Sequence, residues 1–435
     1  MTRATVIGAG LAGCEAAWRL ARRGIPVTLV EMKPDRLTPA HTSPLFAELV
    51  CSNSLKSDEI TNASGLLKAE MRGLGSLILR AADASRVPAG SALAVDRERF
   101  ASYITDALSA HPLVTVERRE ADALPDPPAI IATGPLTTDA LSGALGALPG
   151  LRKLSFFDAA SPIVTRESLD DARVFAAARY GHGDADYLNC PLNEREYDAF
   201  RDALLAAETA PVHGFEEGML YEGCMPVESI AARGRLALAY GPMKPVGLTD
   251  PRTGRRPFAA VQLRAENASG ALWNLVGFQT RLKWDEQRRV FGMIPGLGRA
   301  EFVRYGVMHR NAFIDAPSAL NASFEVRGRP GLYIAGQLTG VEGYMPSAAS
   351  GLAAGIALGE SMLGRGAAVF PTYTALGALG RYVSSPNRDY QPMGIQYGII
   401  DMPDERFRDK RGRARRVAER SLEAIRQAAA KLDIQ

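Results

Sequence analysis

Near its start the chain reads Gly8-Ala9-Gly10-Leu11-Ala12-Gly13, the spacing GxGxxG, and a carboxylate, Glu31, follows 21 residues after Gly10. This spacing serves to hold a nucleotide pyrophosphate. Gly8 permits a tight turn, Gly10 leaves the backbone open to close approach, and Gly13 lets a helix pack against a strand. Leu11 and Ala12 open that helix, whose first N–H groups and positive dipole end face the phosphates. Glu31 is placed to accept from the 2′- and 3′-hydroxyls of a ribose, which argues against a 2′-phosphate there. GxGxxG alone is weak, but here its surroundings are right. A β-rich run, Thr2–Ile7, precedes it. A helix-period stretch to Arg23 follows, with Leu11, Cys14, Ala17 and Leu20 (and Trp18) on one apolar face. Gly24 suits the helix end, and Ile25–Val30 is a second strand that leads into Glu31.

The first motif admits either NAD or FAD, and a second glycine-rich segment favours FAD. Gly331–Gly343 (GLYIAGQLTGVEG) repeats the order strand, glycine turn, small-residue helix. In FAD enzymes of the two-dinucleotide-binding type such a segment reaches back to the pyrophosphate and flavin, which makes Gly336, Gln337 and Gly343 cofactor candidates. Ile130–Gly134 (IIATG) resembles the strand these proteins set beside the nucleotide, and so adds Gly134. No second GxGxxG has an acid of its own, so NADPH or NADH is expected to bind only transiently.

Four cysteines, at 14, 51, 190 and 224, form no CxxC and no metal-binding spacing. A flavin disulfide reductase is therefore excluded, and a reduced, cytoplasmic protein is expected. Cys14 lies on the apolar helix face and reads as core, and Cys190 as structural. Cys51 opens a polar loop, CSNSLKS, with Lys56 close by. Cys224 sits in a turn-like context just ahead of a strongly basic stretch, and nearby positive charge raises a thiolate fraction. Residues 233–310 hold 14 Lys/Arg against 5 Asp/Glu, and residues 404–420 hold 8 against 4. The formal net charge is only +3, so the remainder of the chain is acidic. Such segregation suits docking of a polyanion, whose neutralised phosphates release counterions.

The elements around these residues give an α/β reading. At 435 residues, 46% hydrophobic and 23% charged, the chain is globular with room for two or three domains. A Rossmann-like FAD-binding domain is expected over 1–150 and 315–435, discontinuous, with a basic helical tail from about 371. An α+β insertion domain that binds substrate is expected over 151–314. Its strand-like runs are Ser161–Thr165, Leu236–Tyr240, Ala259–Arg264 and Ala271–Phe278, and Glu194–Ala207 is helical. A small-residue helix is expected at Ala348–Leu363, and a final basic helix at about 404–431. The apolar stretch near 348–364 is too short and too glycine-rich to span a membrane, and the start shows no leader-like apolar run.

Taken together, these segments resemble the bacterial folate- and FAD-dependent tRNA (uracil-5-)-methyltransferases, the TrmFO family, over nearly the whole chain. The motifs are VIGAGLAG (6–13), CSNSLKS (51–57), NCPLNEREY (189–197), YEGCMPVE (221–228), GPMKPVGL (241–248), NLVGFQTRL (274–282), RRVFGMIPGL (288–297), FVRYGVMHRNAF (302–313) and the segment 335–351. One departure is Tyr344-Met345-Pro346-Ser347, where an acid is expected just before the serine; Glu342 remains nearby.

The resemblance implies transfer of a methylene from 5,10-methylenetetrahydrofolate to C5 of uridine 54 in the tRNA T-loop. Reduction to methyl by FADH2 follows, with NAD(P)H as reductant. It makes Cys224 the first candidate for a thiolate that adds to uracil C6, and Cys51 the second, as general acid/base or alternative nucleophile. Planar stacking partners for pterin and uracil would be His309, Tyr344 and Phe278. Contacts to the tRNA T-arm would come from Lys244, Arg252, Arg255, Arg256, Arg281, Arg288 and Arg289. No membrane and no obligatory protein partner are expected. Two other readings stay open at this point. One is the related larger family of flavin-dependent tRNA wobble-uridine modification proteins, which carry a large C-terminal helical region and need a partner GTPase. The other is a flavin-containing nucleic-acid-binding or scaffolding protein without turnover.

Overall fold

In a computed structural model the chain is described at residues 2–148, 151, 153–159, 161–179, 185–210, 225–306, 308–388, 390–404, 407 and 409–434, and at 153–159 and 308–310 for the backbone only. Five parallel strands form the first sheet, in the order Leu332–Ile334, Ala129–Ile131, Ala4–Ile7, Val27–Glu31, Val114–Arg118. The central strand is fully flanked, with Val6 opposite both Leu29 and Ile130. Its near-continuous apolar run is what a parallel strand covered on both faces requires. The first helix, Leu11–Arg22, packs against the helix Tyr344–Met362. Glycines make this close contact possible: a Cβ at Gly351 would lie 2.0 Å from the Ala12 carbonyl oxygen, and one at Gly355 2.9 Å from the Ala16 Cα. Any side chain on that ridge would push the two helices apart.

Two buried glutamates fasten helices to this core. Glu15 accepts the Leu77 and Ile78 N–H groups, and Glu70 accepts those of Ala375 and Leu376. Each carboxylate thus meets the positive end of a helix. Glu70 also accepts from Ser421 Oγ, which draws in the last helix, Lys410–Lys431.

A second core lies under a six-stranded antiparallel sheet, in the order Phe175–Ala176, Tyr187–Leu192, Ala259–Ala265, Leu272–Leu275, Ile163–Thr165, Phe302–Arg304. The helices Glu194–Leu205, Val227–Ala232 and Trp284–Phe291 belong to it. The backbones of Lys153–Ala159 and Met308–Ile314 pair as an antiparallel ribbon at the point where the chain enters and leaves this part. A small sheet of Ser54–Ser57, Ala92–Val95 and Arg86–Val87 carries the Cys51 loop.

The fold is therefore a Rossmann-like α/β unit with a helical C-terminal region. Three expectations need correction. Leu236–Tyr240 is not a strand: Ala237–Tyr240 is a helical turn, with Tyr240 N–H donating to the Leu236 carbonyl. Its two-residue alternation finds no neighbouring strand, and Tyr240 is 80% exposed. The small-residue helix starts at Tyr344 rather than Ala348, because Pro346 is accommodated in its first turn. The last helix begins at Lys410, where Asp409 caps it through the Gly412 N–H at 2.7 Å. Among the described residues no helix is long and apolar enough to cross a membrane.

Candidate functional site

The glycine loop opens onto a cleft. Gly8 has φ +96°, and a Cβ there would lie 2.6 Å from the Ala132 carbonyl oxygen. A Cβ at Gly13 would lie 1.8 Å from the Gly8 carbonyl oxygen. Both glycines are therefore required by the protein's own packing. Gly10 differs: an added Cβ would meet no protein atom within 4 Å, and Gly10 lines the cleft. Its missing side chain leaves room for something other than protein. No acidic residue occupies the first turn of the helix that starts at Leu11, so its N-terminal field is open to an anion.

Glu31 lies on the cleft wall and is nearly buried. Its Oε2 accepts from the Ala9 N–H at 2.7 Å and its Oε1 from the Lys33 N–H at 2.9 Å. These bonds fix the carboxylate and leave lone pairs for hydroxyl donors. Gly134, Gly336 and Gln337 complete the wall, together with Leu11 and Ala12. Gly336 has φ +82°, and a Cβ on it would sit 3.2 Å from the Ala12 side chain, so the two glycine turns face each other. Ala9, Gly13 and Gly343 are not on the wall. Two cleft hydroxyls, Thr138 Oγ1 and Ser347 Oγ, have no hydrogen-bond partner among the described residues. Buried polar atoms of this kind call for a ligand partner. A glycine cradle, a carboxylate for sugar hydroxyls and idle hydroxyls together fit a bound dinucleotide such as FAD.

Tyr344 borders the same cleft and connects it to Cys51. The phenol oxygen accepts from the Cys51 N–H at 2.8 Å and the Ser52 N–H at 3.2 Å, and lies 2.9 Å from Cys51 Sγ. Both phenol lone pairs are thereby taken, so its one proton is directed to the sulfur. Burial holds the Tyr344 phenol well above its ordinary pKa, so it keeps that proton at neutral pH. Three guanidinium groups surround the pair. Arg97 pairs with Glu266 at 2.6 Å and donates to the Leu49 carbonyl at 2.7 Å. Arg264 donates to Asn53 Oδ1 at 2.9 Å and Ser52 Oγ at 2.7 Å. Arg304 is close enough for its charge to act on both Cys51 and Tyr344. Burial works against the charge of Arg264 and of Arg304. A donor to sulfur and a cationic surrounding favour a thiolate. Asn53 closes the arrangement by donating to the Val95 and Ala265 carbonyls, which clamps the Cys51 loop between the two cores.

The other candidates divide. Cys14 and Cys190 are fully buried, and burial pushes Cys14 well up and Cys190 up to about 12, so neither is a reactive thiol. Phe278 is not a stacking partner for a ligand: it is fully buried against Phe291, edge to face at 5.6 Å, and tilted against Phe200 at 6.1 Å. It belongs to the second core. Tyr344 presents its hydroxyl to Cys51, whatever its ring faces. Cys224 lies outside the described residues. His309 is described only as backbone, in the strand Met308–Ile314.

Of the basic candidates, Arg255 and Arg256 are exposed and Lys244 is half-buried. Arg252 is engaged with Asp250 at 2.9 Å and with the Ala172 carbonyl. Arg281 is half-buried 3.9 Å from Glu228. Arg288 and Arg289 pair with Asp285 and Glu286 along one exposed helix face. The sequence reading missed Arg97, Arg264 and Glu266, and also His41, which lines the cleft beside Thr38 with its pKa lowered by burial. Glu342, the acid near the unusual 344–347 segment, is buried and accepts from Gln337 Nε2 at 3.1 Å.

Comparison with known proteins agrees with this geometry. A family model described as "Glucose inhibited division protein A" matches residues 3–366. A methylenetetrahydrofolate--tRNA-(uracil-5-)-methyltransferase TrmFO of Pelotomaculum thermopropionicum is 56% identical over 97% of this chain and 97% of its own. The protein of that name from Listeria monocytogenes is 52% identical over 98% and 99%. Among solved structures, Aquifex aeolicus GidA superposes with a TM-score of 0.71 at 14% identity, covering 100% of this chain and 74% of that one, a likeness of fold. With a family model spanning most of its length and relatives more than half identical end to end, the chain belongs to the glucose inhibited division protein A family and, within it, to the TrmFO group.

Proposed function

We propose that this protein is a methylenetetrahydrofolate–tRNA (uracil-5-)-methyltransferase. It moves the methylene of 5,10-methylenetetrahydrofolate to C5 of uridine 54 in the T-loop and delivers it as a methyl group. The observation that carries this reading is the pairing of Cys51, under the Tyr344 hydroxyl, with a dinucleotide cleft that shares Tyr344 as a wall. Relatives named for this activity match the chain end to end. We assign residues 1–150 and 315–435 to the FAD-binding domain and 151–314 to an insertion that meets the tRNA. The cytoplasm is its place of work.

Uracil C5 is a poor nucleophile. A thiolate that adds at C6 turns the ring into an enolate, whose C5 then attacks the folate methylene carbon; the carbon–nitrogen bond breaks with its electron pair going to the folate nitrogen as the C5 proton is removed, and two-electron reduction of the carbon expels the thiolate from C6. FAD, when bound, supplies the two electrons that convert the transferred methylene to methyl, with NADPH or NADH as the source. The glycine loop, Glu31, Gly134, Gly336 and Gln337 would hold it. Cys224 is the proposed nucleophile, and Cys51 the proposed acid/base that exchanges the C5 proton. Tyr344 positions Cys51, and the surrounding arginines favour its charged form. Incubating the purified protein with unmodified tRNA, methylenetetrahydrofolate and NADPH, then digesting the RNA, should yield 5-methyluridine; uridine alone at that position would refute the reading.

Two expectations follow from particular residues. Tyr344→Phe removes the acceptor of two N–H groups and the donor to Sγ. It is expected to keep its flavin, to lower kcat by about 10- to 100-fold, and to move alkylation of Cys51 by iodoacetamide to higher pH. An alkylation profile superimposable on wild type would remove Tyr344 from the mechanism. Reversal of the exposed pair, Arg255→Glu with Arg256→Glu, should weaken tRNA binding and flatten log K against log salt by about 2, since each phosphate contact contributes about 0.9. An unchanged slope would move the RNA elsewhere.

A further inference from the structure

On the second core, three aromatic rings form a row. Tyr305 lies nearly parallel to Trp284, at 5.4 Å and 14°, and to Phe302, at 5.5 Å and 13°. Trp284 remains 61% exposed despite this contact, and the intervening Val303 is 54% exposed. A large apolar surface of this kind at the edge of a sheet has no role in the protein's own core. The row is also built rather than accidental. Gln287, fully buried, donates to the Gly306 carbonyl at 2.8 Å and accepts from the Gly306 N–H at 2.8 Å. That double bond pattern locks the helix carrying Trp284 to the segment carrying Tyr305.

Charge completes the picture. Arg288 donates to the Tyr305 hydroxyl at 2.7 Å, with its guanidinium 5.8 Å from that ring. Lys283 and Arg289 lie on the same short helix and its cap. Their partners, Glu208, Asp285 and Glu286, form surface pairs that are worth little and exchange readily for phosphate. Flat exposed rings with arginines at their rim are the means by which proteins hold unpaired nucleobases over a phosphate backbone. Tyr305 follows Arg304, whose charge reaches Cys51.

We propose that Trp284, backed by Tyr305 and Phe302, is a stacking platform for an unpaired base of the RNA substrate that flanks the base undergoing reaction. This rests on the proposed tRNA activity and names the contact by which the RNA is held. The three tryptophans are at 18, 273 and 284, and the first two are half-buried, so Trp284 dominates any change that RNA causes in tryptophan emission.

The test uses the flavin-loaded full chain and a T-arm hairpin. Trp284→Ala should weaken RNA binding roughly 10- to 100-fold, the effect of losing one base–ring stack, and raise KM for RNA while flavin content and NADPH oxidation stay normal. Trp284→Phe should bind within a few-fold of wild type yet lose most RNA-induced quenching. Wild-type affinity in Trp284→Ala overturns the proposal. So does a Trp284→Ala protein whose only change is a smaller assembly by sedimentation, which would make this face a contact between copies of the chain. Tight, Trp284-dependent RNA binding without 5-methyluridine formation would sink the functional reading and leave the platform standing.

Discussion

Cys224→Ala is expected to abolish methylation while the protein stays yellow. If the Cys224 thiolate adds to uracil C6, that addition is what makes C5 nucleophilic, and loss of a nucleophile costs many powers of ten in rate. The residue lies outside the nucleotide fingerprint, so flavin content should match wild type. Activity alone does not separate the two thiols, because Cys51→Ala is also expected to be inactive. A 5-fluorouridine at position 54 separates them. Fluorine does not leave as the C5 proton does, so the thioether persists and the protein–RNA adduct survives denaturation. Wild type and Cys51→Ala should form the adduct, and Cys224→Ala should not. The reverse pattern would make Cys51 the nucleophile and Tyr344 a partner of the attacking sulfur itself.

Two valine substitutions in the glycine loop should both give colourless protein, for different reasons. Gly13→Val places a Cβ 1.8 Å from the Gly8 carbonyl oxygen, a backbone atom that cannot yield without moving the first strand. It should lower stability by several kcal/mol, in excess of the ~1–3 kcal/mol of ordinary overpacking, and with it Tm and soluble yield. Gly10→Val meets no protein atom, so Tm of the flavin-free protein should stay within a few degrees of flavin-free wild type. Its side chain would instead fill the approach to the pyrophosphate. Absorbance near 450 nm and thermal unfolding measure the two effects separately. A Gly10→Val protein that purifies with a full complement of flavin would overturn the placement of the nucleotide in this cleft.

The nucleotide half of the site was readable because its signals are local. Gly8 to Glu31 encode a strand, a turn, a helix and a second strand within one short segment, and each residue's role follows from its neighbours. The Cys51 environment was not readable in that way. Residues 51, 97, 264, 266, 304 and 344 come from elements far apart in the chain, and each sits in a run that looks like ordinary surface or core. Tyr344 was expected to act through its ring, but what the structure places on Cys51 is its hydroxyl, a distinction that composition does not carry. Phe278 misled because the residues that follow it, Gln279-Thr280-Arg281, are polar, while Gly277, at φ +79°, turns the chain and the ring lies in the second core. The Trp284 row escaped because its three rings belong to a helix and a strand end, joined only through Gln287 and Gly306.

The glycine ridge between the first helix and the helix Tyr344–Met362 joins two parts of the molecule mechanically. One helix begins at the phosphate loop, and the other begins at the tyrosine that holds Cys51. With Gly351 and Gly355 against the Ala12 and Ala16 backbone, neither helix can slide without the other. The two helix starts are therefore held as one unit, so an occupant of the cleft that orders one would be expected to order the other. Linkage of this kind is reciprocal: whatever free energy a bound nucleotide lends to the Tyr344–Cys51 hydrogen bond, that hydrogen bond returns to nucleotide affinity.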